Sequence, residues 1–333
     1  MARDRIVITN RVHQAVLDVL APRFDVVANP EAAPWPRARL LVQAADARAL
    51  IAFMPDQVDE AFLAACPRLV LIAAALKGYD NFDVAACTRR GVRLTIVPDL
   101  LTAPTAELAV GLTIALARHL LTADAHVRSG RFDGWRPTFY GSGLDGSTVG
   151  IVGMGALGKA IAARLVGFGC RLHYADPRSL DAASERRLGV TAMPLDALLA
   201  ASDFVLLAAP YQPGSHHLID RAALARLKPG AYLVNPARGS LVDEAAVADA
   251  LASGRLAGYA ADTFEMEDWA RPDRPAAIAP ALVADRARTV LMPHLGSAVA
   301  ATRLAIELEA ANNLIRWQDG APLVGCVNPE AMP

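Results

Sequence analysis

The stretch Gly153-Met154-Gly155-Ala156-Leu157-Gly158 constrains this chain more than any other. It reads GxGxxG, follows the apolar run TVGIV and opens the helix-like segment KAIAARLVGFG. Alone the pattern is weak; a strand, a turn and a helix around it are the context that a dinucleotide fingerprint requires. Gly153, Gly155 and Gly158 allow a tight turn and a close backbone approach, and Ala156 and Leu157 open the helix whose N-terminus receives a pyrophosphate. The next strand-like run, RLHYAD, ends at Asp176, 23 residues past Gly153. That is near the ~20 expected for a carboxylate that accepts from the adenosine ribose hydroxyls. Such a carboxylate favours NAD, while Arg178 two residues on leaves NADP possible.

Around this motif, short β-branched or apolar runs alternate with Ala/Leu-rich helical stretches. IVITN, FDVVAN, ALIAFM, LVLIAAAL and Val92–Val97 form one series; TVGIVG, CRLHYAD, VTAM, DFVLLAAP, AYLVNPAR, GYAADTF and TVLMPH form a second. This is the rhythm of βαβ units. The fold class expected is α/β, with two Rossmann-like doubly wound parallel-sheet domains and a cleft between them. AATRLAIELEAANNLIRWQDG reads as an amphipathic helix ending at Gly320, able to return to the first domain. Thr105–Thr122 reads as one long helix, apolar on nearly every face, which suits a helix shared with a second subunit. Ala270–Leu282, rich in Pro and Arg, reads as an exposed loop.

With 33 basic against 34 acidic residues, the net charge is -1. No excess points to nucleic acid or to an anionic membrane, so any anion site is local. The four cysteines, Cys66, Cys87, Cys170 and Cys326, show no zinc spacing, and no metal ligand cluster is evident. No apolar run reaches the length of a membrane span. A cytoplasmic protein is expected.

Three later fragments place polar groups just beyond strands: Arg238 in NPARGSLVDE, Asp262 and Glu267 in ADTFEMED, His294 in MPHLGS. Ligands of open α/β sheets bind beyond the carboxyl ends of strands. A guanidinium, a carboxylate and an imidazole there suit proton transfer coupled to anion binding. Pro210, Pro236, Ala237, Asp262, His294 and Gly296 are read as lining the dinucleotide with the glycine-rich turn. His13, His119, His126, His173, His216 and His217 lack the strand-end context and are read as structural or surface groups.

GMGALG, NPARGSLVDE, ADTFEMED and PHLGS together resemble the D-2-hydroxyacid dehydrogenase family across nearly the whole chain. The resemblance implies that Arg238, Glu267 and His294 take the catalytic positions, with Glu267 orienting His294, and that Asp262 contacts the nicotinamide carboxamide. It also implies a split substrate domain, residues 1–100 plus 296–333, a cofactor domain over 101–295, and a homodimer built on the long apolar helix. The family usually follows the Glu with Pro; here Asp268-Trp269 follows Glu267.

The loop ALKGYDNFD carries a second departure, because Lys77 stands where the family usually has a small apolar residue. A lysine adds a full charge to a pocket that already has Arg238, and two cations suit a compact dianion. IAFMPDQVDEAFLAACP, VRSGRFDGWRPTFYGSGLD and YAADTFEMEDWARPDRP, with the extended lysine loop, resemble the phosphite-oxidising members of the family. That resemblance implies phosphite as the small-molecule substrate, oxidised to phosphate with NAD. Lys77 and Arg238 would bind it, Met54, Leu76 and Gly78 would shape the pocket, and Arg303 is a further cation. Trp135 and Tyr140 close the site or simply pack, and Asp80 and Asn81 brace the loop. The alternatives are a D-2-hydroxyacid dehydrogenase or glyoxylate/hydroxypyruvate reductase, and a non-catalytic NAD-sensing protein.

Overall fold

The computed structural model describes residues 3–331, the side chain of residue 213 excepted. The chain divides into two compact units. The first holds the residues up to Leu101, the short stretch Trp269–Pro272 and the chain from Ala298 onward; the second holds Thr102–Asp268 and Asp273–Ser297.

In the first unit, β1 (Arg5–Ile8), β2 (Asp25–Ala28), β3 (Ala49–Ala52), β4 (Leu71–Ala74) and β5 (Arg93–Thr95) form a parallel sheet in the order β2-β1-β3-β4-β5. β3 and β4 are buried throughout, as central parallel strands covered on both faces must be. Alternate side chains go to opposite faces. Ile6, Ile8, Ile51 and Leu71 share a core with Ile306, Ala310 and Leu314 of the helix Ala300–Gln318. Val7, Leu50 and Ile72 pack with Leu40, Phe62 and Leu63 on the other face. The last helix therefore covers one face of the first sheet, and Gly320, at φ 68°, stands just past its end.

The second unit contains β6 (Thr148–Val152), β7 (Arg171–Ala175), β8 (Val190–Ala192), β9 (Phe204–Leu207), β10 (Ala231–Asn235), β11 (Leu256–Ala261) and β12 (Thr289–Leu291). They form a sheet in the order β12-β11-β10-β9-β6-β7-β8. The winding reverses between β6 and β9, the place where open α/β sheets open a crevice for a ligand. Two parallel-sheet α/β units are thus what the alternating runs encode.

Two expected elements differ. The long apolar helix is Thr102–Ala117, and a separate helix, Leu120–Arg128, leaves it at 62°. Ser142 N–H donates to the Ala117 carbonyl at 2.9 Å, and His119 takes a left-handed φ of 54°. The returning segment thus takes a carbonyl that a continuing helix would have used. Ala106, Ala109, Leu112 and Leu116 bury into the second unit's own core beside Ile161, Leu165 and Tyr232. The Ala270–Leu282 loop gives way at its end to a short helix, Pro280–Ala284, which starts on the proline.

Candidate active site

The cofactor cradle is built at the reversal point of the second sheet. Gly153 leaves β6 with φ 95°, and a Cβ there would lie 2.6 Å from the Ala209 nitrogen. A Cβ at Gly158 would lie 2.1 Å from the Gly153 carbonyl oxygen, so this glycine lets the helix Ala156–Leu165 sit against the turn. Gly155 is different: within the described residues the space where its Cβ would stand is open to 4 Å. It is also the helix N-cap and contributes no side chain of its own. Two glycines are thus required by packing and the third leaves the approach to the helix N-terminus open. Asp176 is half-buried at the end of β7. Its carboxylate accepts from Met154 N–H at 2.7 Å and from Arg178 N–H at 2.8 Å, which fixes it beside the turn. These residues fit a dinucleotide: donors for a pyrophosphate, and a carboxylate anchored where the ribose is expected. Arg178 and Pro210 are exposed, and Pro236 and Ala237 are buried.

Arg238, Glu267 and His294 lie on turns that other residues lock together. Asn235, fully buried at the end of β10, donates to the Arg238 carbonyl at 2.8 Å and accepts from Ala237 N–H at 3.1 Å. A Cβ on Gly239 would fall 1.9 Å from the Phe264 carbonyl carbon. Only glycine lets the Arg238 turn abut the turn that carries Glu267. Asp268, in the place where proline is usual, is buried and accepts from Ser240 N–H at 3.0 Å. It is a second tie between the same two turns.

Glu267 accepts from Phe264 N–H through one oxygen at 2.8 Å and pairs with His294 Nδ1 through the other at 2.7 Å. This pairing places a hydrogen on Nδ1 and leaves Nε2 outside the pair. His294 itself has φ 56°, an uncommon conformation for a side-chain-bearing residue. Asp262 holds it there: its carbonyl accepts from His294 N–H at 2.9 Å, and its carboxylate accepts from Leu295 N–H at 2.6 Å and Gly296 N–H at 2.8 Å. Burial pushes the Asp262 carboxyl above the usual carboxylate range, opposed by those two hydrogen bonds and by the charge of His294. The anchoring of the histidine loop by Asp262, and the roles of Asn235, Gly239 and Asp268, were not read from the sequence. Their signal was position: each neighbours a motif residue.

In the first unit, Lys77 and Gly78 follow β4 and are half-buried, and Leu76 is buried. Asn81 Nδ2 donates to the Met54 carbonyl at 3.3 Å and to the Asp56 carbonyl at 2.5 Å, tying the loop after β4 to the loop after β3. Arg303 lies 6.0 Å from the centroid of the Phe53 ring and 3.9 Å from Glu307. Trp135 and Tyr140 are 77% and 74% exposed, so ordinary packing within this chain does not account for them.

Residues 110–296 match the family model described as D-isomer specific 2-hydroxyacid dehydrogenase, NAD binding domain. The glyoxylate reductases of Thermococcus onnurineus and Pyrococcus furiosus are each 36% identical over 335 residues, covering 99% of this chain and 97% of theirs. Among solved structures, a glyoxylate reductase from Paecilomyes thermophila superposes with a TM-score of 0.85 at 28% identity, covering 99% of both chains. The NADPH-dependent glyoxylate/hydroxypyruvate reductase from Sinorhizobium meliloti, solved with NADP and malonate, has a TM-score of 0.85 at 30% identity, covering 99% of this chain and 98% of that one. These relatives correct the expectation of phosphite as substrate, since they are reductases of a 2-oxo acid. The physical ground for that expectation is also weaker than it looked. Burial lowers the Lys77 pKa, and the charge of Asp99 acts against that shift. Lys77 is thus a half-buried group whose charge burial disfavours. The cofactor is NAD, with NADP possible. On the strength of its sequence, the chain belongs to the D-isomer specific 2-hydroxyacid dehydrogenase family.

Proposed function

We propose that this protein reduces glyoxylate, and by the same chemistry hydroxypyruvate, to the corresponding 2-hydroxy acid. The observation that carries the reading is the Glu267–His294 pair at 2.7 Å on a turn abutting that of Arg238. The whole-length likeness to glyoxylate reductases supports it. The malonate complex of the Sinorhizobium enzyme supports a carboxylate ligand.

A bound reduced nicotinamide supplies the hydride for the 2-oxo carbon. Arg238 binds the substrate carboxylate with its planar fork of donors. His294 gives a proton from Nε2 to the oxygen that gains negative charge as the carbonyl becomes an alcohol. Glu267 holds the ring orientation through Nδ1 and stabilises the charged imidazole. Asp262 acts earlier, by holding the strained loop that aims His294. The reverse reaction uses His294 as the base.

The test follows NADH and NADPH oxidation with glyoxylate, hydroxypyruvate and pyruvate. Turnover of glyoxylate with either cofactor supports the reading; an inert glyoxylate reaction with both rejects it. A homodimer belongs to the same proposal. Leu120, Leu121 and Val127 on the helix Leu120–Arg128 are 49%, 49% and 54% exposed, an apolar face that a second copy would cover. Sedimentation equilibrium would show a dimer, and a monomer at all concentrations would reject it.

A further inference from the structure

Behind the turn that carries Glu267 lies a second group of potential ligands. His216, His217 and Glu265 each offer a donor atom, and the three atoms lie within 4.8 Å of one another. His217 Nε2 already stands 2.9 Å from a Glu265 oxygen. Imidazole and carboxylate ligands at ~2.0–2.2 Å from a tetrahedral ion sit about 3.3 Å apart. One pair is therefore close to ligating separation, and His216 offers the third donor atom within 4.8 Å of both.

Three features of the surroundings suit an ion. His216 and His217 stack with centroids 3.8 Å apart and planes at 29°. The stack keeps the two rings side by side. His217 is held at φ 50° while its N–H donates to the Ser240 carbonyl at 2.8 Å. A left-handed histidine fixed in this way is backbone strain spent on aiming a side chain. Glu265 is 9% exposed, and its N–H donates at 2.9 Å to the carboxylate of Glu244, which is buried as well. Glu265 thus brings an anionic oxygen that is largely out of bulk water.

We propose that His216, His217 and Glu265 form a site for a divalent transition-metal ion. Two imidazoles and one carboxylate select zinc, cobalt, nickel or copper over calcium and magnesium, and they leave positions for water. The site is separate from the proton-transfer pair, yet Glu265 precedes Glu267 by two residues, and Ser240 follows Arg238 by two. An ion there would clamp the two turns from behind.

The test uses the full chain after chelator treatment, titrated with zinc chloride by calorimetry and with cobalt chloride by visible absorption. One saturable equivalent per chain and tetrahedral-type cobalt bands are expected in the wild type. His216→Ala should weaken binding by about 10–100-fold, with circular dichroism and Tm unchanged. Glu265→Gln, which keeps an acceptor for His217 but removes the charge, is the second variant if the first folds poorly. Absence of saturable binding, or equal affinity in wild type and variant, overturns the site.

Discussion

Two histidine–glutamate pairs flank one short turn, and they differ in what they leave free. His294 gives Nδ1 to Glu267 at 2.7 Å; His217 gives Nε2 to Glu265 at 2.9 Å. Both histidines have left-handed backbones, with φ of 56° and 50°. His294 follows β12, its loop anchored by Asp262, and its Nε2 lies outside the pair with Glu267, the atom our proposal uses for proton transfer. The ring of His217 lies against His216, and its backbone is tied to Ser240. A histidine, a carboxylate and a strained backbone therefore do not mark a proton-transfer pair by themselves. The ring nitrogen left over, and what it faces, make the distinction.

That contrast can be broken at several points. The largest effect expected is for His294→Asn, which removes the proton donor and should lower kcat by ~10²–10⁴-fold; stopped-flow reduction of glyoxylate measures it. Gly239→Ala places a Cβ 1.9 Å from the Phe264 backbone, and the two turns must part. It should cost about 3 kcal/mol or more of stability, read by denaturant unfolding, with activity lost alongside. Glu267→Gln keeps a hydrogen-bond acceptor and loses the charge, so kcat should fall by roughly 10²-fold while NADH binding measured by fluorescence stays intact. Asp268→Ala removes the carboxylate that accepts from the Ser240 N–H and should cost ~1–3 kcal/mol, seen as a lower Tm. The smallest effect on turnover belongs to His217→Asn in chelated enzyme, which should stay close to wild type.

The parts of the molecule that could be read from sequence were those fixed by local geometry. Gly153 and Gly158 are glycines because a Cβ would strike neighbouring backbone, and such requirements leave a spaced motif. Central strands such as β4 were legible as continuous apolar runs, though the ladder occupies only Leu71–Ala74 of the run Leu69–Leu76. The break after Ala117 was not legible, because the residue that adopts the left-handed turn is His119 rather than glycine, and the partner of the freed carbonyl is Ser142. Lys77 misled for a related reason. Burial lowers its pKa against the opposing charge of Asp99, 22 residues later, and neither effect is visible in the loop's own sequence. His216 and His217 read as bland because Glu265, far along the chain, is what gives them chemistry.

The most direct test compares kcat/KM for glyoxylate in His294→Asn and His217→Asn, both chelator-treated, side by side with NADH. The account predicts a fall of at least about 10²-fold for the first and near wild-type turnover for the second. A wild-type rate in His294→Asn, or a larger loss in His217→Asn, would contradict it.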